Sequence, residues 1–277
     1  MSGTDGAVGD SPPRGIDLHH GWAGSRSGPI TVVLHGGGPG CHAASDFAAV
    51  MACEPARRWL WVDLPGYGGS RDTHAADTGT AGGTFAVAVR SLERLLVELG
   101  LVGVDVLAQS LGGSVALQLA ATRPDLLGRI VAIGSQPLPP RPGEAANGLG
   151  SRARATYFGG TGPTVGKMRA LVADLEWHDP TRIPDATVAA RHRASLAGSR
   201  DGIPVPDLTD ALGAVRCPTL IISGRHDRFA GPGYAGTLAD ALPRADLNVL
   251  EGTAHHPQAE QPETVAALVN AFLIDRS

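Results

Sequence analysis

Cysteine is scarce in this sequence. Cys41, Cys53 and Cys217 are its three thiols in 277 residues, and no two stand in CxxC spacing. An odd, scattered set argues against a disulfide framework and against a thiolate zinc site, and it fits a reducing compartment, which points to the cytoplasm. No run of 18 apolar residues occurs, so no membrane span is expected. The opening MSGTDGAVGDSPPRG has neither the basic nor the apolar region of a signal peptide, and residues 1–14 read as a mobile tail. Positive charge is not clustered: 23 Lys and Arg face 27 Asp and Glu, for a net charge of −4. Nucleic acid is therefore not an expected partner, because phosphate binding needs grouped cations. There is also no internal repeat.

What is present suits a globular protein. With 43% hydrophobic and 18% charged residues, a chain of this length buries roughly 75% of its unfolded surface without staples. Short apolar runs alternate with longer helical ones. PITVVLHG (29–36), RWLWVDLPG (58–66), VDVLAQ (104–109), RIVAIG (129–134), PTLIISG (218–224) and ADLNVLEG (245–252) read as strands. Helices are expected at 85–100, stopped by Gly100, and from Ser110 to the break at Pro124. Two more are expected near 233–242 and 262–274. This alternation predicts an α/β protein whose mostly parallel, doubly wound sheet carries helices on both faces. Residues 135–207 break the pattern with Pro, Gly and Arg. A structureless loop of that length does not suit a compact domain, so the segment reads as a mainly helical cap with helices near 164–175 and 185–197. The core is then 15–134 with 208–277.

Four segments carry chemistry. Ser110 stands in Ala108-Gln109-Ser110-Leu111-Gly112-Gly113, between a strand and a helix. Small neighbours two positions either side let strand and helix meet on a sharp turn while the hydroxyl projects. Alone, the motif would equally describe a helix cap. His35-Gly36-Gly37-Gly38-Pro39-Gly40 follows a strand, and its glycines can aim amide N–H groups at a developing oxyanion. The rival reading, a phosphate loop, lacks both the GK[ST] ending and the GxGxxG spacing. Asp227, in Gly224-Arg225-His226-Asp227, and His255, in Thr253-Ala254-His255-His256-Pro257, each follow a strand. The paired histidines also raise metal binding, but adjacent side chains do not usually converge on one ion and no helpful ligand spacing accompanies them. The order Ser, Asp, His is that of the α/β hydrolases. The expected assignments are Ser110 as nucleophile, His255 as base, Asp227 as its orienting carboxylate, and the Gly37 and Leu111 N–H groups as oxyanion hole.

From about residue 15 to 275 the chain resembles the α/β-hydrolase superfamily, and within it the meta-cleavage product hydrolases, which split carbon–carbon bonds. HGGGPG (35–40), DLPGYGGS (63–70), SLGG (110–113), GRHDRF (224–229) and the His255 segment carry the resemblance. So does cap segment 163–195. The His-x-Pro-x-x-Glu run at His255, Pro257 and Glu260 selects His255 over His256, and the resemblance implies a carboxylate-binding role for Arg191. Three pocket positions depart from that group: Gln109 for the usual Asn, Ala108 for Gly, and His256 for Trp. HGGGPG is also close to the HGGPG of proline iminopeptidases.

The reaction expected first is hydrolysis of an ester, lactone or related acyl bond of a medium-sized, partly apolar substrate. Carbon–carbon hydrolysis of a vinylogous diketone acid is the alternative, and a non-catalytic small-molecule-binding protein is the reading from another class. Gly38, Gln109, Arg191, Trp177 and His256 are the expected substrate-binding residues. Trp177, Tyr157 and Phe158 of the cap, with its arginines Arg152 and Arg154, suggest a substrate that is partly apolar and anionic. The Asp63–Ser70 turn reads as structural. No metal or organic cofactor is implied, the partner is a small-molecule substrate, and a homodimer is one assembly open to the chain.

Overall fold

The six apolar runs become the parallel strands of one sheet. A computed structural model describes residues 17–70, 83–139 and 148–274; the expected tail at 1–14 lies outside them. The strands are β1 (His20–Gly24), β2 (Ile30–Leu34), β3 (Arg58–Val62), β4 (Val104–Gln109), β5 (Leu127–Ile133), β6 (Thr219–Gly224) and β7 (Ala245–Leu250). They lie in the order β1-β3-β2-β4-β5-β6-β7. Only β1 runs antiparallel, pairing His20 with Val62 and Gly24 with Arg58. It was not expected: HGWAG is too short and too glycine-rich to show an alternating pattern.

Helices cover both faces, as the strand alternation requires. They are α1 (Ala43–Asp46), α2 (Ala48–Cys53), α3 (Gly83–Glu98), α4 (Leu111–Thr122), α5 (Leu149–Phe158) and α6 (Val165–Leu171). Then come α7 (Asp185–Ala197), α8 (Thr209–Leu212), α9 (Tyr234–Ala241), α10 (Pro257–Glu260) and α11 (Pro262–Ile274). Val32, Leu34, Val106, Ala108, Ile130 and Ala132 point to one side, where Phe85, Leu92 and Leu96 of α3 meet Val115 and Leu119 of α4. Their neighbours Val33, Leu107, Val131, Ile133 and Ile222 point to the other, onto Val50 of α2 and Val265 and Val269 of α11. Helix α3 stops at Gly100, whose left-handed φ of 66° lets Leu101 N–H reach back to the Leu96 carbonyl at 2.8 Å. Among the described residues no helix is long and apolar enough to cross a membrane.

Between β5 and β6 the described chain is helical, without a strand. Helix α6 starts where Thr164 accepts a hydrogen bond from Lys167 N–H at 3.1 Å, an ordinary side-chain cap. It then widens into a π-turn over Val172–Glu176. These helices close on an apolar cluster of their own, built from Tyr157, Met168, Leu171, Val172, Trp177, Ile183 and Val188.

Candidate active site

Every chemically equipped residue sits just past the carboxyl end of a parallel strand, where open α/β sheets place their ligands. Ser110 follows β4 and has φ 49° and ψ −113°, the one non-glycine positive φ among the described residues. Its neighbours explain how the strain is held. A Cβ on Gly112 would lie 2.7 Å from the His35 carbonyl oxygen and from Leu34 Cβ, and one on Gly113 would lie 1.8 Å from Ser135 Oγ. Only glycines let α4 pack this close to β2 and β5. The Ser110 hydroxyl opens onto a cavity of about 690 Å³ that it shares with Gly37, Leu111, His255 and His256.

His35 fixes the glycine loop after β2. The ring is buried, with Nδ1 against the Gly36 carbonyl at 2.7 Å and Nε2 accepting from Leu64 N–H at 2.9 Å. Those partners require the neutral ring protonated on Nδ1, and burial lowers its pKa below the ordinary 6.5. Gly112 N–H donates to the His35 carbonyl at 3.1 Å, tying loop to elbow. A Cβ on Gly37 would stand 3.4 Å from Leu111 Cβ, so the two residues expected to supply the oxyanion donors lie side by side. Gly37 N–H makes no backbone hydrogen bond among the described residues, and Leu111 N–H opens helix α4, where the first amides have no intrahelical acceptor. Both amides are available to a substrate oxygen.

His255 follows β7 and Asp227 follows β6. His255 Nδ1 is 2.8 Å from Asp227 Oδ2, and Asp227 Oδ1 accepts from Phe229 N–H at 2.8 Å. With the proton on Nδ1, Nε2 is left as the basic atom. Burial alone would disfavour the imidazolium. The Asp227 carboxylate outweighs it by charge and hydrogen bond, and the pKa of His255 stands above the ordinary 6.5. Two tethers set the imidazole loop: His255 N–H donates to the Glu176 carbonyl at 3.0 Å, and Gln109 Nε2 donates to the His255 carbonyl at 3.1 Å. Glu260, the acid of the His-x-Pro-x-x-Glu run, accepts from Ala254 N–H at 2.6 Å and His178 N–H at 2.7 Å. It joins the base loop to the inserted helices.

Of the expected substrate-binding residues, Gly38, Gln109 and His256 line the cavity. His256 is buried, with Nδ1 3.2 Å from Gln258 Nε2, and burial beside the Arg191 guanidinium pushes its pKa down to about 3. Trp177 and Arg191 do not line it. Trp177 packs into the apolar cluster of the insert. Arg191 is 2% exposed, and its guanidinium is held by both carboxylate oxygens of Glu176 and by the Pro39 carbonyl at 2.9 Å. Glu176 and Arg154 do line the cavity; from the sequence, Arg154 is one of the cap arginines that suggest an anionic substrate, with no site role of its own, and Glu176 is not singled out. Nothing in LEW (175–177) marks an inward carboxylate; the π-turn, closed by Trp177 N–H on the Val172 carbonyl at 3.0 Å, precedes Glu176's inward turn.

The arrangement suits nucleophilic attack on a carbonyl: a strained serine, an imidazole oriented by a carboxylate, and two neighbouring residues with amides free of backbone partners, on one cavity. Comparison with known proteins agrees. The model of the alpha/beta hydrolase family matches residues 31–268. A 2-hydroxymuconate semialdehyde hydrolase of Pseudomonas putida is 30% identical over 264 residues, covering 88% of this chain and 86% of its own. A 2-hydroxy-6-oxononadienedioate/2-hydroxy-6-oxononatrienedioate hydrolase of the same organism is 27% identical, covering 93% and 92%. The solved 2-hydroxy-6-oxo-6-phenylhexa-2,4-dienoate hydrolase of Rhodococcus sp. strain RHA1 shares the fold with a TM-score of 0.76, at 24% identity over 93% of this chain and 94% of that one. These relatives match the resemblance read from the motifs, and the chain belongs to the alpha/beta hydrolase family, as a serine hydrolase.

Proposed function

We propose that this hydrolase cleaves a carbon–carbon bond in a vinylogous diketone acid of the meta-cleavage type. Similarity to the 2-hydroxymuconate semialdehyde hydrolase over 88% of the chain supports this reading over the esters that the motifs alone favour. In the proposed reaction the dienol first tautomerises, losing its hydroxyl proton and gaining one on carbon, and becomes its ketone. His255 accepts the Ser110 proton, and Ser110 Oγ bonds to the carbonyl carbon. The Gly37 and Leu111 N–H groups hold the resulting oxyanion; one such donor is worth about 3 kcal/mol. Collapse breaks the carbon–carbon bond, the conjugated ketone takes the electron pair as an enolate, and the His255 proton quenches it. Water, deprotonated by His255, then releases the acyl group. Asp227 holds the imidazole tautomer and balances the imidazolium. The helices at 149–197 serve as the cap that closes over the substrate.

Ester or lactone hydrolysis is the second reading. One observation favours it: Arg191, which the resemblance assigns to a substrate carboxylate, already holds Glu176. Decay of a chromogenic ring-fission dienoate, followed for wild type and Ser110→Ala, separates the two. Fast decay that disappears in Ser110→Ala is the outcome expected. A wild type inert toward the dienoate, yet still labelled at serine by a phosphonate, transfers the assignment to esters.

A further inference from the structure

Two arginines approach the glycine loop, and they differ in what their charge already meets. Arg191 already meets a carboxylate through both terminal nitrogens, and only its Nε has no partner among the described residues. Its Nη1 and Nη2 face the two oxygens of Glu176, and Nη2 also donates to the Pro39 carbonyl. The pair lies against the loop so closely that a Cβ on Gly38 would be 2.8 Å from Arg191 Nη2 and 3.0 Å from Glu176 Oε1. A substrate carboxylate entering here would have to displace Glu176 and leave that buried carboxylate without a cation, an unfavourable exchange.

Arg154 is in the opposite situation. It stands on α5 and lines the cavity beside Gly37, Gly38 and Ser110. Its Nη2 donates to the Gly37 carbonyl and, at 2.6 Å, to the Tyr67 hydroxyl, while Nη1 donates to the Arg200 carbonyl at 3.2 Å. Tyr67 donates in turn to the Gly37 carbonyl at 2.8 Å. All these acceptors are neutral, and among the described residues no carboxylate forms an ion pair with Arg154; the nearby Asp201 lines the cavity without pairing to it. The neutral contacts orient the guanidinium and leave its charge uncompensated, the state that suits a planar fork awaiting a carboxylate.

We infer that Arg154 on α5 anchors an anionic, carboxylate-class group of the substrate, and that Glu176 closes the Arg191 subsite against it. The inference deepens the reading of this cavity as the site of a dienoate hydrolase. Arg154 is then a specificity-determining residue, and the substrate's acid end lies toward α5 and the Tyr67 side of the loop.

The test measures the preference for an anion on esters, so that it stands whether or not the dienoate is a substrate. Values of kcat/KM for 4-nitrophenyl hydrogen succinate and 4-nitrophenyl butyrate give an acid-to-neutral ratio for each variant. Arg154→Gln is expected to lower that ratio about 10-fold, mainly through KM of the acid, and Arg154→Lys to recover part of it. Glu176→Gln, added to Arg154→Gln, uncovers Arg191 and is expected to restore the ratio. A ratio unchanged in Arg154→Gln, including a fall of both esters together, overturns the anchor. A double variant no better than Arg154→Gln overturns the closing role of Glu176. KM for a dienoate, measured in parallel, follows the acid ester if that reaction is the natural one. A dienoate that no variant cleaves removes the carbon–carbon reading and leaves the ester ratio to decide on Arg154.

Discussion

The raised pKa of His255 rests mainly on Asp227, with a smaller contribution from the Glu176 carboxylate. Burial works against its protonation and Asp227 works for it, and the carboxylate wins. The proposed mechanism uses the neutral ring as base, so kcat/KM is expected to fall as pH drops through this raised pKa. Asp227→Asn removes the charge and favours the wrong tautomer. The expected loss in kcat is about 10⁴-fold, and the acid limb of the kcat/KM profile moves to lower pH. A limb that stays in place would assign it to another group. Gly134 supports the same pair from behind: its φ is 56°, and a Cβ there would lie 3.2 Å from His255 Nδ1 and 3.3 Å from Asp227 Oδ2. Gly134→Ala combines a left-handed residue, costing about 1–2 kcal/mol, with pressure on the ion pair. Denaturant midpoints are expected to fall, and kcat to drop more than KM rises.

At the scale of elements, the base loop and the inserted helices are joined through one carboxylate. Glu260 accepts from Ala254 N–H, one residue before His255, and from His178 N–H in the insert. Glu260→Gln keeps one acceptor oxygen and turns the other into a donor facing an amide. The unpaired N–H is expected to cost about 1–3 kcal/mol, seen as a lower melting temperature, with kcat reduced because His255 loses its setting. An unchanged melting temperature would show that water replaces the lost acceptor. The elements themselves were legible to different degrees. Six strands could be read as short apolar runs between turn residues, and the helix at 85–100 because its apolar residues repeat at helical spacing. Strand β1 could not: two glycines in five residues leave no period. Nor could α5, whose LGSRARATYF (149–158) buries only Tyr157. The expected helix at 164–175 ends early as α-helix, at Leu171, because the π-turn takes over. The elbow, the glycine loop, Asp227 and His255 were legible because each pairs a chemical residue type with a strand end. Arg191 was assigned to the pocket by the resemblance and Trp177 as an aromatic residue of the cap, and a sequence does not show that Glu176 turns inward to hold the arginine.

For the whole molecule, the buried histidines set how stability responds to acid, and their signs differ. His256 is neutral when folded, with a pKa near 3 against an ordinary 6.5. Glu176 Oε2 lies 3.4 Å from its Nε2, but the Arg191 guanidinium holding that carboxylate cancels the attraction. The unfolded chain therefore takes up a proton at this residue as pH falls below about 6.5, and the folded chain does not, so stability is lost on acidification. His35, also depressed by burial, acts in the same direction. His255 acts in the opposite one: its raised folded pKa stabilises below its unfolded value, and that contribution disappears as pH rises through the folded pKa. Between pH 7 and 5, His256 alone is expected to withdraw about 2 kcal/mol. His256→Gln, which cannot titrate, should lose less stability over that interval than the wild type, whatever its stability at pH 7. Chemical denaturation of both proteins at pH 7, 6 and 5 gives the two slopes. A shallower slope in the variant is the result expected. Equal slopes would mean that His256 gains its proton within the folded protein, with Glu176 turning from Arg191 to receive it.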